Sequence, residues 1–373
     1  MGIEELQPLL EKSFLEVGFK SLKIQQIAEK IHARHKSAVM PCIRETIEAF
    51  QEYGLTIAQW EKAVIQYPHL AVTNPATLSD HFEETFRCFK EFGFSKKEFL
   101  TAFVKVPTLF LYTPQKLHSN VLQTAKALQG ITPDLSDKEY LKMCLNEPTL
   151  FHTRPHTIMN NIERIVAPYQ KNGLTMTSFI GSARKKPCLL YLAPDSIHKK
   201  MAQMIAFYQK NGLDLSTCLA AYKGNPAFYY QKPETLQSNI MRVATFFVKE
   251  GIPAAEYIRT VSLKKSMLFS QAPETILEHL HLMKQYHKDG AFSLYRGENS
   301  FHNILKYILN RPIMLTYSSE NLGLRHLYSQ VKQAHQEPTY MGVLTETKGE
   351  IIKYLQKHAR GIHLNLLKEH GYS

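Results

Sequence analysis

Two rows of polar side chains recur along this chain at intervals of about 39 residues, a period that marks stacked supersecondary units. The first row is a pair of adjacent residues: Asp80-His81, Ser119-Asn120, Asn160-Asn161, Lys199-Lys200, Ser238-Asn239 and Glu278-His279. The pair varies on an otherwise uniform background, as a surface that reads a different base at each unit would require. Asparagine can pair bidentately with a base edge, and lysine can meet a phosphate or a guanine. The second row is basic: Lys105, Arg184-Lys185-Lys186, Lys223 and Lys264-Lys265, interrupted in the third unit by Asn146-Glu147. Lysines placed this way hold phosphates without reading sequence. The candidate contacts to nucleic acid are therefore Asn120, Asn161, Lys199, Lys200 and Asn239 from the first row, and Lys105, Arg184, Lys185, Lys186, Lys264 and Lys265 from the second. Each row also has a plainer explanation. Polar residues near a helix start are commonly solvated, and bases in a helix's last turn complement its dipole.

Motifs for catalysis do not accompany these rows. No P-loop, GxGxxG, GxSxG or HExxH pattern occurs. His279, His281 and His287 share a helical stretch, but 279 and 281 face different ways, so no metal site is expected. The five cysteines are odd in number and widely spaced, and no CxxC exists. That usage indicates free thiols in a reducing compartment rather than a zinc site or a disulfide framework. We expect no cofactor and no enzymatic activity.

The formal net charge is +12 and the sequence pI about 9.2, an excess that attracts polyanions. Glu4, Glu5, Glu11 and Glu16 give the first residues neither the plan of a secretion signal nor that of a transit peptide. Leu6 breaks the myristoylation pattern despite Gly2, and no apolar run reaches membrane-spanning length. The expectation is a soluble monomer, cytoplasmic or associated with nucleic acid, without membrane contact.

The elements that must carry the two rows are written in prolines and glycines. A later proline stands at Pro75, Pro114, Pro155, Pro194, Pro233 and Pro273, and an earlier one about seven residues upstream, with Ser266 in the sixth slot. Proline at the first helical position predicts a helix start, and apolar residues three and seven places on predict one buried stripe: Leu117 and Val121, Ile158 and Ile162, Leu236 and Ile240. Gly93, Gly173, Gly212 and Gly251 predict left-handed caps. Ser95 with Glu98, and Ser136 with Glu139, have capping-box spacing and open a shorter second helix. The apolar link between the prolines predicts a 3₁₀ turn whose rings plug the core. The fold class is all-α: a superhelical solenoid of about seven such repeats with terminal capping helices. The organisation reads as a basic N-terminal helical cap at 1–45, repeats at 46–324 and a C-terminal helical cap at 325–373.

A long helix, Gly-apolar-Ser/Thr, a shorter helix ending in proline and then Leu-Leu or Leu-Phe resembles the mitochondrial transcription termination factor (mTERF) family. The stretches that carry the likeness are FGFSKKEFLTAFVKVPTLF, NGLTMTSFIGSARKKPCLL and NGLDLSTCLAAYKGNPAFY, and it extends over roughly Thr46 to Leu324. The resemblance implies an all-α superhelix whose basic concave face binds duplex DNA or structured RNA in regulation of transcription or RNA metabolism. A protein-interaction scaffold, such as a bacterial effector, is the other use that a basic solenoid serves.

Overall fold

The computed structural model describes residues 15, 16, 18, 39–288, 300–334 and 348–359; the basic stretch at 20–36 and the chain beyond 359 lie outside them. Among the described residues every regular element is helical, and long first helices alternate with shorter second helices. The first helices are α1 (Val39–Gln51), α3 (Pro75–Phe89), α5 (Pro114–Gln129), α7 (Pro155–Val166), α9 (Pro194–Lys210), α11 (Pro233–Lys249), α13 (Pro273–Lys288) and α15 (Ser319–Ala334). The second helices are α2 (Ile57–Gln66), α4 (Lys96–Lys105), α6 (Asp137–Asn146), α8 (Met176–Lys185), α10 (Leu215–Gly224), α12 (Ala254–Lys265) and α14 (Phe301–Asn310). A last helix, α16 (Lys348–His358), buries Ile351 and Leu355 and packs on α15. α1 starts at Val39, ahead of the boundary at residue 46, and packs on α3 as α3 packs on α5 and α5 on α7.

Local chemistry sets the ends of these helices. The cap glycines Gly93, Gly173, Gly212 and Gly251 have φ of 77°, 92°, 70° and 83°, left-handed values that a side chain resists. Ser95 accepts from the Glu98 backbone N–H while the Glu98 carboxylate accepts from Ser95, and Ser136 and Glu139 do the same. The backbone N–H and hydroxyl of Ser95 hold the Glu98 carboxyl below its usual range. One first helix is shorter than its siblings. α7 stops at Val166 and continues as a 3₁₀ segment, Ala167–Asn172, because Pro168 lacks the N–H that an α-helix would need there.

The links between second and first helices are 3₁₀ turns: Pro68–Val72, Pro107–Leu111, Pro148–Phe151, Pro187–Leu190, Ser266–Ser270 and Pro312–Thr316. The link Ala227–Tyr230 is instead a single α-turn. There the Asn225 side chain accepts from Ala227 N and donates to Ser266 O, tightening the entry. Rings and aliphatic chains of the links are core, as Leu109, Phe110, Leu189, Leu190, Phe228 and Tyr229 are all fully buried. The Phe110 ring lies 5.5 Å from Phe50, 5.9 Å from Trp60 and 5.0 Å from Phe103, joining both helix layers.

The chain divides into two compact units, Met1–Ala167 with Met176–Pro194, and Pro168–Thr175 with Asp195–Ser373. In the first, α1, α3, α5 and α7 pack in succession as one layer, and α2, α4 and α6 as another. In the second, α11, α13 and α15 form one layer, and α10, α12 and α14 the other. Each unit is thus a two-layer stack whose apolar stripes meet between the layers.

Candidate nucleic-acid interface

The paired residues of the first row face apart. Their first members, Asp80, Ser119, Asn160, Lys199, Ser238 and Glu278, are exposed. Their second members turn toward the link that ends the same helix pair and meet a backbone carbonyl. His81 Nδ1 lies 2.9 Å from Phe110 O, Asn120 Nδ2 3.3 Å from Phe151 O, and Asn161 Nδ2 3.3 Å from Leu190 O. Lys200 Nζ lies 2.6 Å from Tyr230 O, Asn239 Nδ2 3.4 Å from Gln271 O, and His279 Nδ1 3.3 Å from Leu315 O. A carbonyl only accepts, so His81 and His279 carry a proton on Nδ1. These bonds span 29 to 36 residues and close each helix pair against its own link. The position varies among His, Asn and Lys because its requirement here is an N–H donor of the right reach.

Of these contacts the Asn161 bond is buried and the Asn120 bond part-buried, whereas those of Lys200 and Asn239 are exposed. Asn161 is 8% exposed and His279 5%. Lys199 alone of the first-row candidates projects outward.

The second row lies at the ends of the second helices, and its members are held differently. Lys105 donates to Asn146 O at 2.8 Å, and Lys264 reaches both Asn310 O and Asn310 Oδ1 at 3.1 Å. Each ammonium therefore meets the carbonyl end of the next second helix, where the dipole is negative. This places successive helix ends side by side along one edge within each unit. Arg184 pairs with Asp134 at 2.7 Å, and its Nε and Nη2 are buried without a hydrogen-bond partner. Lys185 and Lys223 are exposed, whereas Lys186 and Lys265 are half-buried. The interruption in the third repeat has a structural cause. Glu147 accepts from the Tyr191 hydroxyl at 3.0 Å, and burial with that carboxylate pushes the phenol up to about 12.

Sequence reasoning missed Arg311, which stands immediately before Pro312 as Lys186 stands before Pro187 and lies over the Tyr307 ring at 4.6 Å. The register itself was the available signal. It also missed a cleft of about 810 Å³ between α2 and α4, flanked by Lys62 and Lys105. No sequence pattern points to that space.

The remaining polar chemistry is structural. All five cysteines are free, and burial raises every thiol above its usual value, which makes them poor nucleophiles at neutral pH. Among the described residues no cluster of metal-ligating side chains converges, and no helix is long and apolar enough to cross a membrane.

Stacked helix pairs with linking 3₁₀ turns define a helical-repeat protein. The sequence model of the mTERF family matches residues 13–211, more than half of the chain, and the chain belongs to that family. A comparison with curated proteins finds no match. Members of the mTERF family generally bind nucleic acids and are associated with regulation of transcription and RNA.

Proposed function

We propose that this chain binds nucleic acid along the cationic edge where its second helices end, and that it regulates transcription or RNA metabolism by occupancy rather than by catalysis. The carrying observation is the repetition of cations at one register within each unit. In the first, Lys105, Arg184, Lys185 and Lys186 fall in or just after the last helical turn; in the second, Lys223, Lys264, Lys265 and Arg311 do. Dipole complementation accounts for one charge at a helix end, not for adjacent pairs and triples. Point charges of this kind meet phosphates and carry little sequence information. The proposal places affinity in the edge, where Lys185 and Lys223 are exposed, and leaves base selection to exposed first-row residues such as Lys199.

The test is binding of labelled random-sequence duplex DNA and hairpin RNA across a salt series. With six or more phosphate contacts, affinity falls on the order of 10³-fold or more between 50 and 200 mM salt. Lys185→Ala with Lys223→Ala weakens binding to all sequences alike and makes the salt slope shallower by about one unit per lost contact. A flat salt response, or no binding to either polymer, removes the proposal.

A further inference from the structure

The last two links depart from the pattern of the earlier ones. At the second position of the link the chain carries His69, Thr108, Thr149 and Cys188 in the first four copies, and Ala227 is buried in the fifth. Met267 and Ile313 then occupy the same position and are 43% and 47% exposed. Leu263, one residue before Lys264, is 60% exposed. Aliphatic side chains put into water where Thr108 and Thr149 stand in the second and third links add no packing, and they fall in neighbouring repeats. Beside them lies a cleft of about 300 Å³ lined by Lys264, Lys265, Arg311, Pro312, Ile313, Met314 and Tyr317. No acidic residue lines it. The Asn310 carbonyl holds Lys264, and Arg311 lies over the Tyr307 ring, so two of the three cations are positioned before any ligand arrives.

We propose that this patch docks an acidic peptide segment of a partner protein, whose aliphatic or aromatic side chain enters the cleft while its carboxylates meet Lys265 and Arg311. The cations set the sign of the partner, and the aliphatic chains set the anchor. A buried anchor with a charged surround is the usual division of labour at a small interface. Methionine suits such a surface because its unbranched chain re-packs around the anchor. A nucleic-acid strand fits the patch less well. Bases stack on aromatic faces or guanidinium planes; Tyr317 and Arg311 supply these at the cleft, but the exposed aliphatic chains of Leu263, Met267 and Ile313 favour an aliphatic or aromatic side-chain anchor.

The experiment pans a displayed random peptide library on the full chain, with counter-selection on a variant carrying Met267→Thr and Ile313→Thr. Those changes install the residue type of the second and third links, so the variant keeps the parent's melting temperature. Enriched peptides combine Asp or Glu with Leu, Ile, Phe or Trp, and bind the parent at least about ten-fold more tightly than the variant. A second variant, Lys265→Glu with Arg311→Glu, loses the same peptides. The patch shares its cations with the proposed nucleic-acid edge, so the aliphatic variant is also assayed on random-sequence duplex and hairpin RNA, where its affinity stays within about two-fold of the parent. No enrichment, enrichment of acid-free peptides, or equal binding to parent and variant overturns the proposal. Loss of nucleic acid without loss of peptide assigns the patch to the nucleic-acid edge instead and overturns it equally.

Discussion

Asn161 donates to Leu190 O from a nearly water-free position, and its value to the fold can be measured against its neighbours in the row. Asn161→Leu keeps the branched shape and strands a buried carbonyl, which should cost about 1–3 kcal/mol in chemical denaturation. Asn239→Lys should be tolerated within about 0.5 kcal/mol, because Lys200 makes the equivalent bond one repeat earlier. Equal losses in both variants would show that the carbonyl has another partner. Gly212 isolates a different effect. Nothing lies within 4 Å of a Cβ added there, yet its φ is +70°. Gly212→Val therefore strains only the backbone, by about 1 kcal/mol or more in a thermal melt. An unshifted melt would mean that the cap relaxes. The left-handed glycines were legible because the conformation excludes other residues locally. The roles of Asn120 and Asn161 were not, since adjacent residues on a helix look alike until the carbonyl about thirty positions away is placed.

At the scale of elements, the short link between prolines does more than connect. Phe110→Ala removes the ring that joins Phe50, Trp60 and Phe103, and should cost about 3–5 kcal/mol of unfolding free energy. A loss well below that range would mean that the surrounding rings collapse into the space. Helix starts give a pH signature. The Thr217 hydroxyl and then its backbone N–H hold the Asp214 carboxyl, which caps α10, below its usual range. Its stabilisation is fully present above the ordinary carboxylate value and is lost as pH falls through the lowered one. Asp214→Asn keeps a capping oxygen without the titration, so its acid-unfolding limb should be shallower than the parent's. An unchanged limb would show that other carboxylates govern it. Helix type, link conformation and the capping boxes at Ser95 and Ser136 could be read in advance, because proline, glycine and Ser-x-x-Glu act within one turn. The early end of α7 at Pro168 and the α-turn at Ala227–Tyr230 were missed. The first is a local proline whose effect competes with a strong repeat pattern; the second depends on Asn225 reaching Ser266 across repeats.

For the whole molecule, the net charge of +12 says that polyanions are attracted but not where they settle. Two charge reversals separate the faces. Lys185 is exposed at the end of a second helix, and Lys199 is exposed in the second turn of a first helix. Lys185→Glu should weaken nucleic-acid binding and flatten its salt dependence, whereas Lys199→Glu should alter preference among sequences more than overall affinity. The reverse ranking would move the ligand to the first-helix face. The bond from the first helix to its link has a consequence for how such a chain can change over generations. Donor and acceptor belong to the same repeat, and the acceptor is main chain, which every sequence supplies. A copied or deleted repeat therefore brings its own closure with it and asks no matching substitution of its neighbours. Duplication in register can lengthen the array in one step, leaving outward residues such as Asn160 and Lys199 to diverge afterwards without reopening the helix pair beneath them.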